Sequence, residues 1–345
     1  MLSSHSMAQR TFRIVFSLVL TVALLAVFFW NVDFSQVGAA LADARTGMLL
    51  AAALAALFSY WLRVIRWQQI LRPAGRTRHS SALLATVVGY AGIALLPARL
   101  GDLARPLLLS KRDHLPTSAT LASILTERVI DLWTIVLFFF VFLIAPPAMP
   151  HLSAEGEGTL DLLRLSGWII GAGLLVGTTM LFGLFRYQER FIALVSAPIG
   201  RIKASWQEPF VNFLHHFLDG LRILQRPRDL LMVMATSLVI WAVIVLQLIL
   251  TLQAFGLGLP IRSAFLLIMM TVIGLLVPTP GGAGGFHAMV QIGLTTFFGV
   301  DYNLATGFAI AYHAVCFYPI ALIGLICIPV FGLSLSPARL TESSE

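Results

Sequence analysis

Apolar residues run along this chain in long blocks, separated by short polar clusters that are mostly basic. Strict alternation of the kind that marks strands is missing, and several blocks reach the roughly 20 residues that a helix needs to cross hydrocarbon. The pattern predicts full spans at about Phe12 to Trp30, Gly47 to Leu71, Thr117 to Ala145, Ser166 to Phe185, Leu230 to Phe255 and Leu304 to Leu333. Two more apolar segments are interrupted. Ser80 to Ser110 breaks at Pro97 to Gly101. Ser263 to Phe298 breaks at Pro278 to Gly285, where two prolines and Gly281, Gly282, Gly284 and Gly285 end one helix before the next begins near Gly285. Unpaired backbone is costly in hydrocarbon, so such breaks persist where the chain is buried in protein or lines a cavity.

The region 186–229 is mixed. Trp206, Phe210, Phe213, Phe217, Leu221 and Leu224 recur at helical spacing opposite His215, Asp219 and Arg222. This reads as an amphipathic helix, lying on the cytoplasmic face or packed on the spans, with Pro209 in its first turn and Trp206 just outside it. His215 and His216 are adjacent and point apart, so they make no metal site.

Charge sets the orientation. Arg10 and Arg13 precede the first span; Arg72, Arg76 and Arg78 follow the second; Lys111 and Arg112 follow the first interrupted segment; Arg339 follows the last span. These read as cytoplasmic, whereas Asp33, Asp43, Glu155, Glu157 and Asp161 suit the outside. The segment from Ser80 starts after one basic loop and ends at another, so it reads as a re-entrant hairpin whose return helix of about ten residues covers about 15 Å. By parity the second hairpin enters from the other side. The expected fold is an all-α polytopic membrane protein of about six full spans plus two re-entrant helical hairpins in an inverted repeat. Its divisions are 1–46, an N-terminal span and outer loop; 47–145, a first repeat; 146–229, outer loop, connecting span and amphipathic segment; 230–333, a second repeat; and 334–345, a cytoplasmic tail. Both termini are expected in the cytoplasm of a bacterium, with the spans in its inner membrane.

Composition agrees: 58% of residues are hydrophobic and 11% charged, against about 25% charged in soluble domains. The net charge of +7 lies between spans and is no nucleic-acid signature. Cys316 and Cys327 share the last apolar run, which excludes a disulfide framework or zinc site. The first block is long for a signal peptide, and the Ala-x-Ala at Ala40 to Ala42 lies well past its end, so an uncleaved span is expected.

Ionisable residues inside spans are rare and carry function by default. Arg63 and Arg66 are three apart, Glu127 and Asp131 four apart, and Arg128 and Asp131 three apart, so each pair shares a helix flank. The arginines either snorkel beside Trp61 and Trp67 or meet lipid phosphate. The helix starting near Gly285 offers N–H groups to an anion, and Arg63, Arg66, Arg99, Arg105 and Arg128 could add charge-assisted contacts. The candidate substrate site comprises these arginines with Asp102, Glu127, Asp131, Pro278, Gly281, Gly282, Gly284, Gly285, His287 and His313. The glycines match neither a Walker loop nor GxGxxG, so no nucleotide or other cofactor is expected.

The motifs Arg63-x-x-Arg66-Trp67, Leu96-Pro97-x-Arg99-x-Gly101-Asp102, Glu127-Arg128-x-x-Asp131-Leu132 and Pro278-x-Pro280-Gly281-Gly282-x-Gly284 occur in this order. They resemble the transmembrane-region family of lysylphosphatidylglycerol synthases, also called flippase-like integral membrane proteins, from about Gly47 to Leu333. The resemblance implies movement of lipids between leaflets, with aminoacyl transfer left to a separate soluble domain that is not expected after the last span here. Three positions depart from the family pattern: Asp102 stands for a Glu, His287 for an acid and His313 for an Arg. The expected partners are lipids with phosphate headgroups and no nucleic acid; a homo-oligomer or association with lipid-synthesis enzymes stays open. So do two other functions, an intramembrane lipid-modifying enzyme using Glu127, Asp131 or His287, and a non-catalytic partner of such enzymes.

Overall fold

The computed structural model describes residues 2–95, 101–147, 149, 154–202 and 204–331. Among them there are no strands, and the chain runs as helices joined by short turns. Pro97 and Arg99 lie outside the described residues, as does the tail beyond Phe331.

The first helix, α1 (Leu2–Phe28), ends two residues before the expected Trp30. The loop expected after it contains a helix, α2 (Phe34–Asp43). Asp33 caps it by accepting from the N–H groups of Ser35 and Gln36 at 2.9 and 3.3 Å, and Val37 is buried. At ten residues the helix is too short to stand out beside the neighbouring spans. Then come α3 (Thr46–Leu71) and a pair of shorter helices, α4 (His79–Leu95) and α5 (Gly101–Asp113), packed on each other. The second of these is longer than the expected ten residues and runs through Pro106.

After α6 (Thr117–Ile144), α7 (Ala154–Arg186) begins well before the expected Ser166. The mixed region forms two helices, α8 (Gln188–Ile202) and α9 (Ala204–Leu221). Trp206 and Pro209 both fall within α9, so the expected start at Pro209 is corrected. Of the two placements open for this helix, α9 packs on a span: Leu218 and Leu221 are buried with Ala122 of α6 and Ile192 of α8. At the crossing, a Cβ on Gly220 would lie 2.5 Å from the Ala119 carbonyl, which explains the glycine there.

The last part comprises α10 (Pro227–Ala254), α11 (Ser263–Leu275), a 3-10 turn at Pro280–Gly282, α12 (Gly285–Phe298) and α13 (Tyr302–Val330). The predicted break is where the sequence puts it, between Leu275 and Gly285. The main core gathers Leu252, Leu266, Phe286, Phe297, Phe308 and Tyr312 from these helices. A second core joins Val64 and Trp67 of α3 to Ala85 of α4 and Leu109 of α5.

Four described helical stretches are long and apolar enough to cross a membrane: Thr46–Leu71, Leu160–Leu181, Pro227–Ala254 and Tyr302–Val330. The other two expected spans are α6, 28 residues long with Glu127, Arg128 and Asp131 inside it, and α1, whose apolar stretch is Val15–Phe28. Outward faces are apolar. Val22, Leu54, Met180, Leu231 and Ile326 are each at least 66% exposed, a surface that suits lipid tails and not water.

Candidate functional site

Among the described residues, the buried charged side chains, Arg66, Arg105, Glu127 and Asp131, form one cluster. Arg66 of α3 is completely buried and forks onto Asp131 of α6, with Nη1 donating to Oδ1 at 2.6 Å and Nη2 to Oδ2 at 3.2 Å. Its Nη2 also lies 3.2 Å from Glu127 Oε1. Arg105 of α5 donates through Nη1 to both Glu127 oxygens, at 3.2 and 3.0 Å. Two guanidiniums thus answer two carboxylates, which burial demands. Neighbours complete the network: Ser237 Oγ accepts from Arg66 at 3.1 Å, and Trp241 Nε1 donates to Asp131 Oδ1 at 3.3 Å. The Arg105 guanidinium sits 4.0 Å over the Trp67 ring, whose Nε1 donates to Ser123 Oγ at 2.8 Å. Arg66 therefore does not snorkel. Arg66 and Arg105 hold the acids of α6 between α3, α5 and α10.

In front of this cluster lies a cavity of about 150 Å³. Arg63 and Arg128 line it with Tyr60, Tyr90 and the turn residues Thr279, Gly281 and Gly282. Arg63, one helical turn before Arg66, keeps only a longer contact with the acids, 3.9 Å to Asp131 Oδ2. Arg128 Nη2 stands 3.5 Å from Asp102 Oδ1 at the start of α5. Thr279 Oγ1 is buried and has no hydrogen-bond partner among the described residues. A second cavity of about 140 Å³ adjoins the first, sharing Tyr60, Arg63, Leu275 and Phe317. It is mostly apolar, with Trp241, Ile268, Phe286 and Tyr312 in its wall.

The turn is built to approach other backbone. Gly281 and Gly282 have φ of 59° and 73°, where a side chain is strained. A Cβ on Gly281 would lie 3.4 Å from the carbonyl of Ala94, near the end of α4, so the turn reaches the tip of the first helix pair. Two histidines fix it from behind. His287 Nδ1 accepts from the Gly284 N–H at 3.3 Å. His313 Nε2 lies 2.9 Å from the Gly281 carbonyl and must donate, since the carbonyl accepts. Their ring centroids are 4.5 Å apart, with Phe28 and Phe317 alongside. Ser17 Oγ of α1 donates to the Pro278 carbonyl at 2.8 Å.

The sequence-predicted residues thus divide into three groups. Arg63, Arg128, Gly281 and Gly282 line the polar cavity. Arg66, Arg105, Glu127, Asp131 and Asp102 form the ion pairs around it. Pro278, Gly284, Gly285, His287 and His313 shape the turn. The start of α12 faces its neighbours: a Cβ on Gly284 would lie 2.6 Å from Leu24 Cβ, and one on Gly285 would collide with the Gly274 carbonyl. The cavity therefore meets the turn at Thr279 to Gly282 and not at the α12 N-terminus. Sequence reasoning passed over Tyr60, Tyr90 and Thr279. Tyr60 was within reach, being three residues before Arg63 and so on the same face.

A family model for the lysylphosphatidylglycerol synthase transmembrane region matches residues 14–324. Glycosyltransferase AglD of Haloferax volcanii is 27% identical over 326 residues, covering 89% of this chain and 52% of AglD. A UPF0104 membrane protein of Methanothermobacter thermautotrophicus is 23% identical over 339 residues, covering 92% of this chain and 96% of that protein. The chain spans about half the length of AglD and nearly all of the second relative.

Proposed function

The chain belongs to the lysylphosphatidylglycerol synthase transmembrane-region family of multi-pass membrane proteins, and on that premise we propose that it moves a phosphate-bearing lipid between leaflets. The observation that carries this reading is the pair of adjoining cavities. One holds two guanidiniums and an unpartnered hydroxyl, the other is apolar, and they share Arg63. A phosphate ester would take charge-assisted bonds from Arg63 and Arg128 while the first carbons of its chains rest against Phe286 and Tyr312.

Helix lengths support two re-entrant hairpins. Helices α11 and α12 have 13 and 14 residues, which rise only about 20 Å against a hydrocarbon core of about 30 Å. Helices α4 and α5, of 17 and 13 residues, rise about 25 and 20 Å. Each pair crosses at two glycines, Gly89 with Gly101 and Gly274 with Gly285; a Cβ on Gly101, Gly274 or Gly285 would strike the facing backbone, and one on Gly89 the Arg105 Cβ. This likeness favours an inverted repeat, with its site between the halves. The basic clusters favour both termini on the cytoplasmic side of a bacterial inner membrane.

Translocation is favoured over chemistry because Glu127 and Asp131 both accept from arginines, which leaves neither poised as a general acid or base. The likeness to glycosyltransferase AglD favours a second reading, an enzyme acting on a lipid; a covalent change in the lipid, seen by mass spectrometry, would separate the two. The test of translocation is vesicle reconstitution with chain-labelled phospholipids. Protein-dependent loss of the inner-leaflet label to an external quencher is expected, and rates equal to empty vesicles across several phospholipid classes would refute it.

A further inference from the structure

Among the described residues, the lining of the polar cavity carries positive charge and no negative one. Its described lining offers Arg63, Arg128 and the Thr279 hydroxyl, and contains no carboxylate. Thr279 is among the lining residues, and its buried Oγ1 has no hydrogen-bond partner among the described residues. The neighbouring acids are engaged outside the lining. Glu127 and Asp131 bond to Arg66, Arg105 and Trp241, and Asp102 faces Arg128.

We infer that this cavity selects headgroups by charge, taking a phosphate ester without an amine and rejecting one that carries an ammonium group, such as an aminoacylated lipid. The inference rests on the translocation reading and narrows its substrate class. An anionic phosphate meets two cations and a neutral donor there, which is the arrangement for charge-assisted bonding. An ammonium placed beside the same phosphate meets two guanidiniums at close range and finds each neighbouring carboxylate already bonded. Like charges brought together across a binding surface weaken binding. Asp102 offers little relief, because it is already 3.5 Å from Arg128.

Phosphatidylglycerol and its lysyl ester differ only in the added amino acid, so they isolate this effect. The full chain is reconstituted into phosphatidylcholine vesicles with either lipid, labelled on the same acyl chain, and inner-to-outer transfer is followed with a quencher. Phosphatidylglycerol is expected to cross at least about tenfold faster than the lysyl ester. Arg128→Gln, in protein whose unfolding matches the parent, is expected to bring that ratio to within about threefold, chiefly by slowing phosphatidylglycerol. The ratio in the unaltered chain decides by itself, so the outcome does not depend on the variant folding. Equal rates, or faster transfer of the lysyl ester, overturn the charge selection and leave translocation standing. Transfer of neither lipid above empty vesicles overturns both.

Discussion

The buried ion cluster is open to a quantitative test through Arg66→Met and Asp131→Leu, alone and together. Arg66 makes two bonds to Asp131 and a third contact to Glu127, all in complete burial. Without Arg66, Glu127 keeps Arg105 but Asp131 is left with only the longer contact to Arg63 at 3.9 Å, so its buried charge is poorly matched. Without Asp131, Arg66 and Arg105 both crowd onto Glu127, one positive charge is left over, and Trp241 Nε1 loses its acceptor. Removing one partner of a buried pair costs about 3–5 kcal/mol, and the orphaned indole N–H adds about 1–3 kcal/mol to the Asp131 change. The double change leaves Arg105 and Glu127 as a one-to-one pair at 3.0 Å. It is therefore expected to cost less than the sum of the singles by about 2–3 kcal/mol, within the usual range of coupling between contacting residues. Denaturant titration in mixed micelles, read for both midpoint and slope, measures this. Additivity within about 0.5 kcal/mol would show that these charges do not form a unit and would refute the cluster as described.

Two other changes probe the hairpin turn. Gly274→Ala would push a methyl group onto the Gly285 backbone and is expected to cost about 1–3 kcal/mol, whereas Gly173→Ala in α7, with nothing within 4 Å, should be neutral or stabilise by up to about 1 kcal/mol; thermal unfolding in detergent compares them. His313→Phe keeps the ring against Phe317 but removes the donor to the Gly281 carbonyl. It is expected to lower stability by about 1–3 kcal/mol and to slow lipid transfer in protein that remains folded; unchanged transfer would separate the histidine from the turn's function.

Much of this architecture is legible in the chain because hydrocarbon imposes it. Helix α3, the ends of α11 and the start of α12 follow directly from apolar run length and from prolines and glycines that no uninterrupted helix accepts. The flank shared by Glu127 and Asp131 is likewise fixed by helical spacing, and both acids do meet Arg66. What spacing does not encode is which cation meets which acid across helices. Arg105 reaches Glu127 from 22 residues away on another helix, which leaves Arg63 and Arg128 to line the cavity. Nor does local sequence reveal Thr279, whose role depends on the turn arriving beside α4. Helix α2 was hidden for a different reason: it is ten residues long and is held by packing on α13 and by Asn303, which local hydropathy does not show.

The most direct measurement of whether lipid passes through this cavity is the transfer rate of chain-labelled phosphatidylglycerol in vesicles holding the parent chain or a double Arg63→Gln, Arg128→Gln variant of matched unfolding temperature. The account predicts rapid transfer with the parent and, with the variant, a fall of at least about tenfold toward the rate of empty vesicles, from the loss of two charge-assisted contacts. A variant that transfers lipid as fast as the parent would contradict it.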